Sequence, residues 1–411
     1  MHLPSISTAR SLGRIRRISG RGAPAAVVAL LAIAPSLQAC NGCSDTNLVA
    51  REPVLVNDDE VAEFDHDWGS WLSMAVNADG APIVSYYDKT KGALGFATAS
   101  FDDDGAVSWA HEEVDGYADE SGLDSGDRGK YTSMAVAADG GIWIAYQDVQ
   151  NKTLRWANRG ADGIWVSGMA DSGAGTSPDA GHWASLALDG SGYPIISHYD
   201  AAKGTLRVAH YDAGTASFNA VVVDEGVAPV SDTGEALEAD VGMYPSVAVV
   251  SGIEYISYYD VANGDLKLAW GGPSSYSIET VASEGDVGQW TNLVVDDGEI
   301  HVAYHDVTNQ DLMYAVGEPG AWLIEAVDSA DHVGADTHLR VVNGVPNIAY
   351  FDGRNNDMKS AMLSGESWSA RTVTNDPGAL GFHNEVVVAS GITYAACYDY
   401  TNRTLWFSTL D

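Results

Sequence analysis

Residues 244–269 read YPSVAVVSGIEYISYYDVANGDLKLA. Two apolar runs separated by Ser-Gly, an Asp closing the second run, a polar turn and a third run are strand chemistry rather than helix chemistry. The same wording occurs as WLSMAVNADGAPIVSYYDKTKGALGFA from Trp71, YTSMAVAADGGIWIAYQDVQNKTLRWA from Tyr131, WASLALDGSGYPIISHYDAAKGTLRVA from Trp183 and WTNLVVDDGEIHVAYHDVTNQDLMYA from Trp290. Two more divergent copies end near Ala361 and Ser408.

The closing Asp is Asp88, Asp148, Asp200, Asp260, Asp306, Asp352 and Asp399 in turn, at separations of 46 to 60 residues. A fourth apolar run follows in each unit, as in SIETVAS from Ser277, WLIEAVDS from Trp322 and WSARTVTN from Trp368. Four short strands in about 50 residues make a propeller blade, so seven units predict an all-β, seven-bladed β-propeller with four antiparallel strands per blade. The chain stops after TLWFSTLD, one strand short. PVLVNDDE from Pro53 has the form of the missing strand, so the N-terminal strand is expected to complete the C-terminal blade, close the ring and hide two edges.

Ahead of that strand, Arg10, Arg14, Arg16, Arg17 and Arg21 precede the apolar stretch APAAVVALLAIAP, too short to anchor stably across a bilayer. It ends in Leu37, Gln38, Ala39 and Cys40, which resembles the lipobox of bacterial lipoproteins. The resemblance implies a signal peptide over 1–39, lipidation of Cys40, a lipidated polar tether over 40–51 and the propeller over 52–411. Asn41 after the cysteine is compatible with outer-membrane sorting, again by resemblance.

The formal charge is −36, and removing the five arginines of residues 1–39 leaves 16 basic residues against 57 acidic ones, a net of −41. Such a field repels phosphate and excludes nucleic acid as a partner; the membrane is reached only through the N-terminal lipid. With Cys40, Cys43 and Cys397 as the only cysteines there is no disulfide framework, and Cys397, replacing a strand Tyr, is expected as a buried free thiol. Both long insertions, Asp115 to Gly129 and Asp224 to Val241, join a fourth strand to the next first strand, so both rise from one face, where loops commonly carry function.

The turn D-x-x-N-x-D, as in DVANGDL and DVTNQDL, looks like a calcium loop, but its Asp recurs in every unit, which favours an Asx turn that satisfies backbone amides. No cofactor is predicted. Calcium or another divalent cation stays open at blades four to six, where Asp265, Asp311 and Asp357 supply a second acid.

Departures between the repeats are more informative. The residue at the start of each first strand is Trp71, Tyr131, Trp183, Tyr244 and Trp290, then Asp336 and His383. Two residues on, Ser73, Ser133, Ser185, Ser246 and Asn292 give way to His338 and Glu385, and Arg340 takes a slot otherwise held by Ala or Val. First strands line a propeller's channel, so Asp336, His338, Arg340, His383 and Glu385 are candidates to converge near its mouth, where they would grip a carboxylate or sugar hydroxyls, bind a metal, or do acid/base work. Against this stands mutual pairing, Arg340 with Asp336 and His383 with Glu385. The aromatic series likewise fits blade packing or platforms for sugar faces.

No G-x-S-x-G elbow, H-E-x-x-H or Gly-rich phosphate cradle occurs, so positive evidence for an enzyme is missing. In its repeat wording, IEYISYYDVANGDLKLA, nearly the whole chain resembles bacterial exported β-propellers built on I-S-Y-Y-D and N-G-D-L-K-Y-A strands. That resemblance implies a recognition role, which composition does not show. The expectation is a surface-tethered module that binds a carbohydrate or protein partner outside the cytoplasm. A hydrolase or lyase using blades six and seven, with or without a metal, and a structural envelope scaffold are the alternatives.

Overall fold

The computed structural model describes residues 54–56 (backbone only), 67–116, 126–231, 233–235, 237–330, 332–375 and 377–410. Cys40, Cys43 and the tether lie outside the described residues. The chain folds into seven four-stranded antiparallel sheets, each in the strand order of a propeller blade. Blade four is representative: an inner strand Val241–Val250, then Ile253–Asp260, Asp265–Gly272 and an outer strand Ser275–Ala282.

Local sequence explains the layout. In the second strand of blade four, Glu254 and the stretch Ile256–Asp260 are buried, because this strand lies between neighbours in its own sheet and under the faces of adjoining blades. The outer strand is largely exposed, which is why its wording drifts most between repeats. At the turn after the second strand, Asp260 Oδ1 accepts the Asn263 amide at 3.1 Å, and Asp148, Asp306, Asp352 and Asp399 accept the amides of Asn151, Asn309, Asn355 and Asn402 at 2.8–3.1 Å. The repeated Asp is thus the Asx device expected from the sequence.

The last blade takes three strands from the C-terminal end, Phe382–Ala389, Ile392–Asp399 and Thr404–Thr409. Its fourth is the three-residue strand Val54–Val56, antiparallel to the last, with Leu55 opposite Trp406. The ring therefore closes through the N-terminal strand.

Apolar burial follows the same circle. Seven core clusters form, each drawing on two adjoining blades: Leu268 and Val281 pack with Val302 and Tyr304 between blades four and five, and Trp68 and Tyr86 pack with Tyr394 and Phe407 across the closure. Cys397 is buried in the cluster between blades six and seven as a free thiol, with burial pushing its pKa up. A blade cannot bury both its faces alone, so its stability comes from its neighbours.

Candidate functional site

Every inner strand carries the same irregularity. In blade four Met243 pairs with Tyr259 and Ser246 with Ser257, three residues on one strand against two on the other. The slip recurs at Ser70/Ser73, Lys130/Ser133, His182/Ser185, Gln289/Asn292, Ala335/His338 and Phe382/Glu385. This is a β-bulge, which re-aims side chains near functional sites. Inside each bulge sits the residue singled out in the sequence: Trp71, Tyr131, Trp183, Tyr244, Trp290, Asp336 and His383 all hold φ between +47° and +57°. A non-glycine residue there costs on the order of 1 kcal/mol. Two residues earlier a glycine is required: Gly242 has φ +108°, and a Cβ on it would stand 2.7 Å from the Leu206 backbone of the preceding blade.

The bulges aim six rings into a collar around the channel. Ring centroids run His383 to Trp71 at 4.2 Å, Trp71 to Tyr131 at 4.2 Å, Tyr131 to Trp183 at 5.4 Å, Trp183 to Tyr244 at 4.8 Å and Tyr244 to Trp290 at 4.4 Å. Asp336 takes the seventh place. Each ring leans on the next, so the faces that a sugar would cover are occupied by neighbouring side chains, and the collar encloses only about 190 Å³. Burial raises the pKa of Tyr131 and Tyr244 to about 12. It also pushes the Asp336 carboxyl up to about 7 and the His383 imidazole down to about 3. Their closest approach, Nδ1 to Oδ1, is 3.8 Å. Burial thus favours the neutral form of both groups, the uncharged imidazole and the protonated carboxyl.

One level deeper is a polar ring. Ser73, Ser133, Ser185 and Ser246 Oγ accept the amides of Met134, Leu186, Val247 and Leu293 in the next blade at 2.9–3.2 Å. Asn292 Oδ1 does the same for Leu339 at 3.0 Å, and His338 Nδ1 for Val386 at 3.2 Å. Glu385, the seventh member, approaches the same His338 Nδ1 at 3.0 Å. That nitrogen has one lone pair or one proton, so it serves the amide or an ionised carboxylate but not both. Arg340 Nε donates to the Val386 carbonyl at 3.1 Å, so His338 and Arg340 together clamp the Val386 peptide of blade seven.

Below this ring the channel widens to about 720 Å³ and runs to Val76, Val136, Val342 and Asn343 at the far ends of the inner strands. The cluster expected at one mouth is therefore split. Asp336 and His383 belong to the collar, His338 and Arg340 line the wider chamber, and Glu385 borders both. At about 3.3 Å of rise per residue, positions 336 and 340 stand roughly 13 Å apart along a strand. For the same reason the expected pairs, Arg340 with Asp336 and His383 with Glu385, do not form; the pairs are His338 with Glu385 and Asp336 with His383, each at one level on adjoining strands. The chamber opens away from the face that carries the long connections. His332, in the loop before blade six, is exposed.

Among the described residues no group of three His, Cys, Asp or Glu side chains could hold a metal ion. Sequence reasoning passed over the Val386 backbone, since it does not depart in kind from what a strand normally carries.

The sequence matches no protein-family profile, and no curated protein matches it. Solved structures do match. The polysaccharide lyase Uly1 is 12% identical, with a TM-score of 0.50 over 82% of this chain and 90% of its own. The fucose-binding Aleuria aurantia lectin is 14% identical with a TM-score of 0.43, over 76% of this chain and 96% of its own. The Hadza microbial sialidase Hz136 is 12% identical with a TM-score of 0.44, over 84% and 66%. At 12% identity the likeness to the lyase is one of fold alone, and the seven radial sheets make the chain a seven-bladed β-propeller.

Proposed function

We propose that this protein is an exported recognition module, lipid-anchored through Cys40 to the cell envelope, that binds a carbohydrate in the channel chamber. The observation that carries the reading is the asymmetry of the wall. Five blades present Ser or Asn at the polar ring, while blades six and seven present His338, Arg340 and Glu385. Each serine oxygen already accepts an amide, which leaves its O–H free to donate inward. Four hydroxyl donors on consecutive blades, a carboxylate acceptor and a guanidinium suit a polyhydroxylated ligand, and a chamber of this size admits a short oligosaccharide.

The test is calorimetric titration of an oligosaccharide panel into the protein and into Glu385→Gln. Saturable binding weakened by about tenfold in the variant supports the reading. No binding to any sugar, with capture of a protein ligand instead, would replace carbohydrate by the protein partner. For the anchor, Cys40→Ser is expected to move the protein from the membrane to the soluble fraction.

The 3.0 Å approach of Glu385 to His338 favours one further reading, a hydrolase or lyase using that pair for proton transfer. Turnover of a bound oligosaccharide, abolished in a folded His338→Gln variant, would establish it. A binding module gives no turnover to lose.

A further inference from the structure

Most basic side chains within the described blade junctions are paired with carboxylates, while Lys130 lies over the Tyr87 ring at 5.6 Å. Arg128 Nη1 lies 2.6 Å from Asp115, Arg207 Nε 2.7 Å from Asp171 and Lys267 Nζ 2.7 Å from Asp224, while Arg155 reaches Asp115 at 3.0 Å and Lys359 bonds Asp328. In a chain with 57 acids and 21 bases, a carboxylate for every inward cation is the expected state. Arg340 departs from it. Its Nε donates to the Val386 carbonyl, and among the described residues no carboxylate lies within 4.0 Å of the guanidinium. It is also the one Lys or Arg among the described residues that line the chamber.

The one acid among the described residues that line the chamber, Glu385, faces His338 instead. The geometry points to a specific ligand chemistry: we infer that the chamber takes a carboxylate-bearing sugar, a hexuronate unit of an acidic oligosaccharide, with Arg340 receiving the carboxylate. This deepens the recognition reading above and rests on it. Fixing Nε on a backbone carbonyl orients the planar fork and leaves both Nη groups to meet two carboxylate oxygens side by side. Arg340 is half-buried on the channel wall, so the charge pairing is screened less there than on a fully exposed surface. The serine hydroxyls across the chamber then serve the ring oxygen and hydroxyls of the same unit, and Asn343 stands at the rim where a neighbouring unit would leave. Outside the chamber the strongly acidic surface repels an acidic glycan, which favours binding where a cation faces the channel with no carboxylate beside it.

The experiment is titration of the full exported chain with trimers of galacturonate, glucuronate and mannuronate, each against its methyl ester and its neutral hexose counterpart. At least one acid is expected to bind, and its ester, which keeps the shape and loses the charge, to bind tenfold or more weakly. Raising salt should weaken the acid and leave the ester unchanged. Arg340→Gln should bring the acid down to the level of the ester. If acid, ester and neutral sugar bind wild type equally, the carboxylate assignment falls while carbohydrate recognition stands. If none of them binds at millimolar concentration, both fall. Because acid and ester are compared on the wild-type protein, the result does not depend on the variant folding. A sulfated trimer that outcompetes every uronate would also overturn the assignment.

Discussion

Tyr398 donates its hydroxyl proton to Asp67 Oδ1 at 2.6 Å, joining residues 331 positions apart in the chain. The same bond, from the last Tyr of a second strand to the Asp before the next inner strand, links Tyr87 to Asp127 at 2.7 Å, Tyr199 to Asp240 at 2.6 Å and Tyr259 to Asp286 at 2.7 Å. The junction that closes the ring is therefore built like the junctions along it. Burial and Asp67 push the Tyr398 pKa up, which keeps the phenol protonated as a donor.

Tyr398→Phe and Tyr259→Phe are each expected to cost roughly 1–3 kcal/mol, since each leaves a part-buried carboxylate oxygen without its phenol donor, with Tyr398→Phe at the lower end because Asp67 keeps Lys89 Nζ at 2.9 Å on its other oxygen. Urea unfolding of the two variants checks this. A closing junction that tolerates the change at no cost while Tyr259→Phe destabilises would show that closure does not depend on the latch.

The collar makes an opposed pair of pH effects. Asp336 titrates at about 7 in the fold against roughly 3.9 unfolded, so the stability tied to its proton is present below pH 4 and lost as pH rises to 7. His383 titrates at about 3 against roughly 6.5 unfolded, so its contribution is present above pH 6.5 and lost as pH falls towards 3. Between pH 4 and 6.5 the slopes oppose. Asp336→Asn should make the melting temperature drop more steeply with acid in that window, and His383→Gln should make it drop with rising pH from 4 to 7. Thermal melts across pH 4 to 8 measure both, and two variants that keep the wild-type profile would refute the burial assignment.

At the turns, Asp260 Oδ1 and Oδ2 both accept from Asn263, and Lys267 Nζ lies 3.6 Å from Oδ2. Asp260→Ala should cost about 1–2 kcal/mol by freeing turn donors, and Asp260→Asn less. Because these oxygens are engaged by the chain itself, a chelator should leave the melting temperature where it is. A fall of several degrees on chelation would assign calcium to the turns of blades four to six.

The blade count, the Asx turns and the strand that completes the last blade were all legible, because a repeat prints its own spacing and each closing Asp marks one hairpin. The residues of the site were legible as departures from that repeat. Their grouping was not. Placing Asp336 and Arg340 in one cluster treated neighbouring channel positions as one level, whereas a strand separates them by two inward steps; on the next blade Asp336 meets His383, and Glu385 meets His338. The seven bulges were hidden too: the aromatic series was visible, but its left-handed backbone depends on the glycine two residues before and on the preceding blade's strand behind it, a contact between repeats that no single repeat spells out.

The central claim is that the chamber wall of blades six and seven holds a sugar. A crystal structure of the protein soaked with the tightest-binding oligosaccharide of the panel tests it most directly. The account predicts a sugar unit in the chamber within hydrogen-bond reach of Arg340, Glu385 and at least one of the serine hydroxyls. A sugar seated on the outer loops, with the chamber filled only by water, would contradict it.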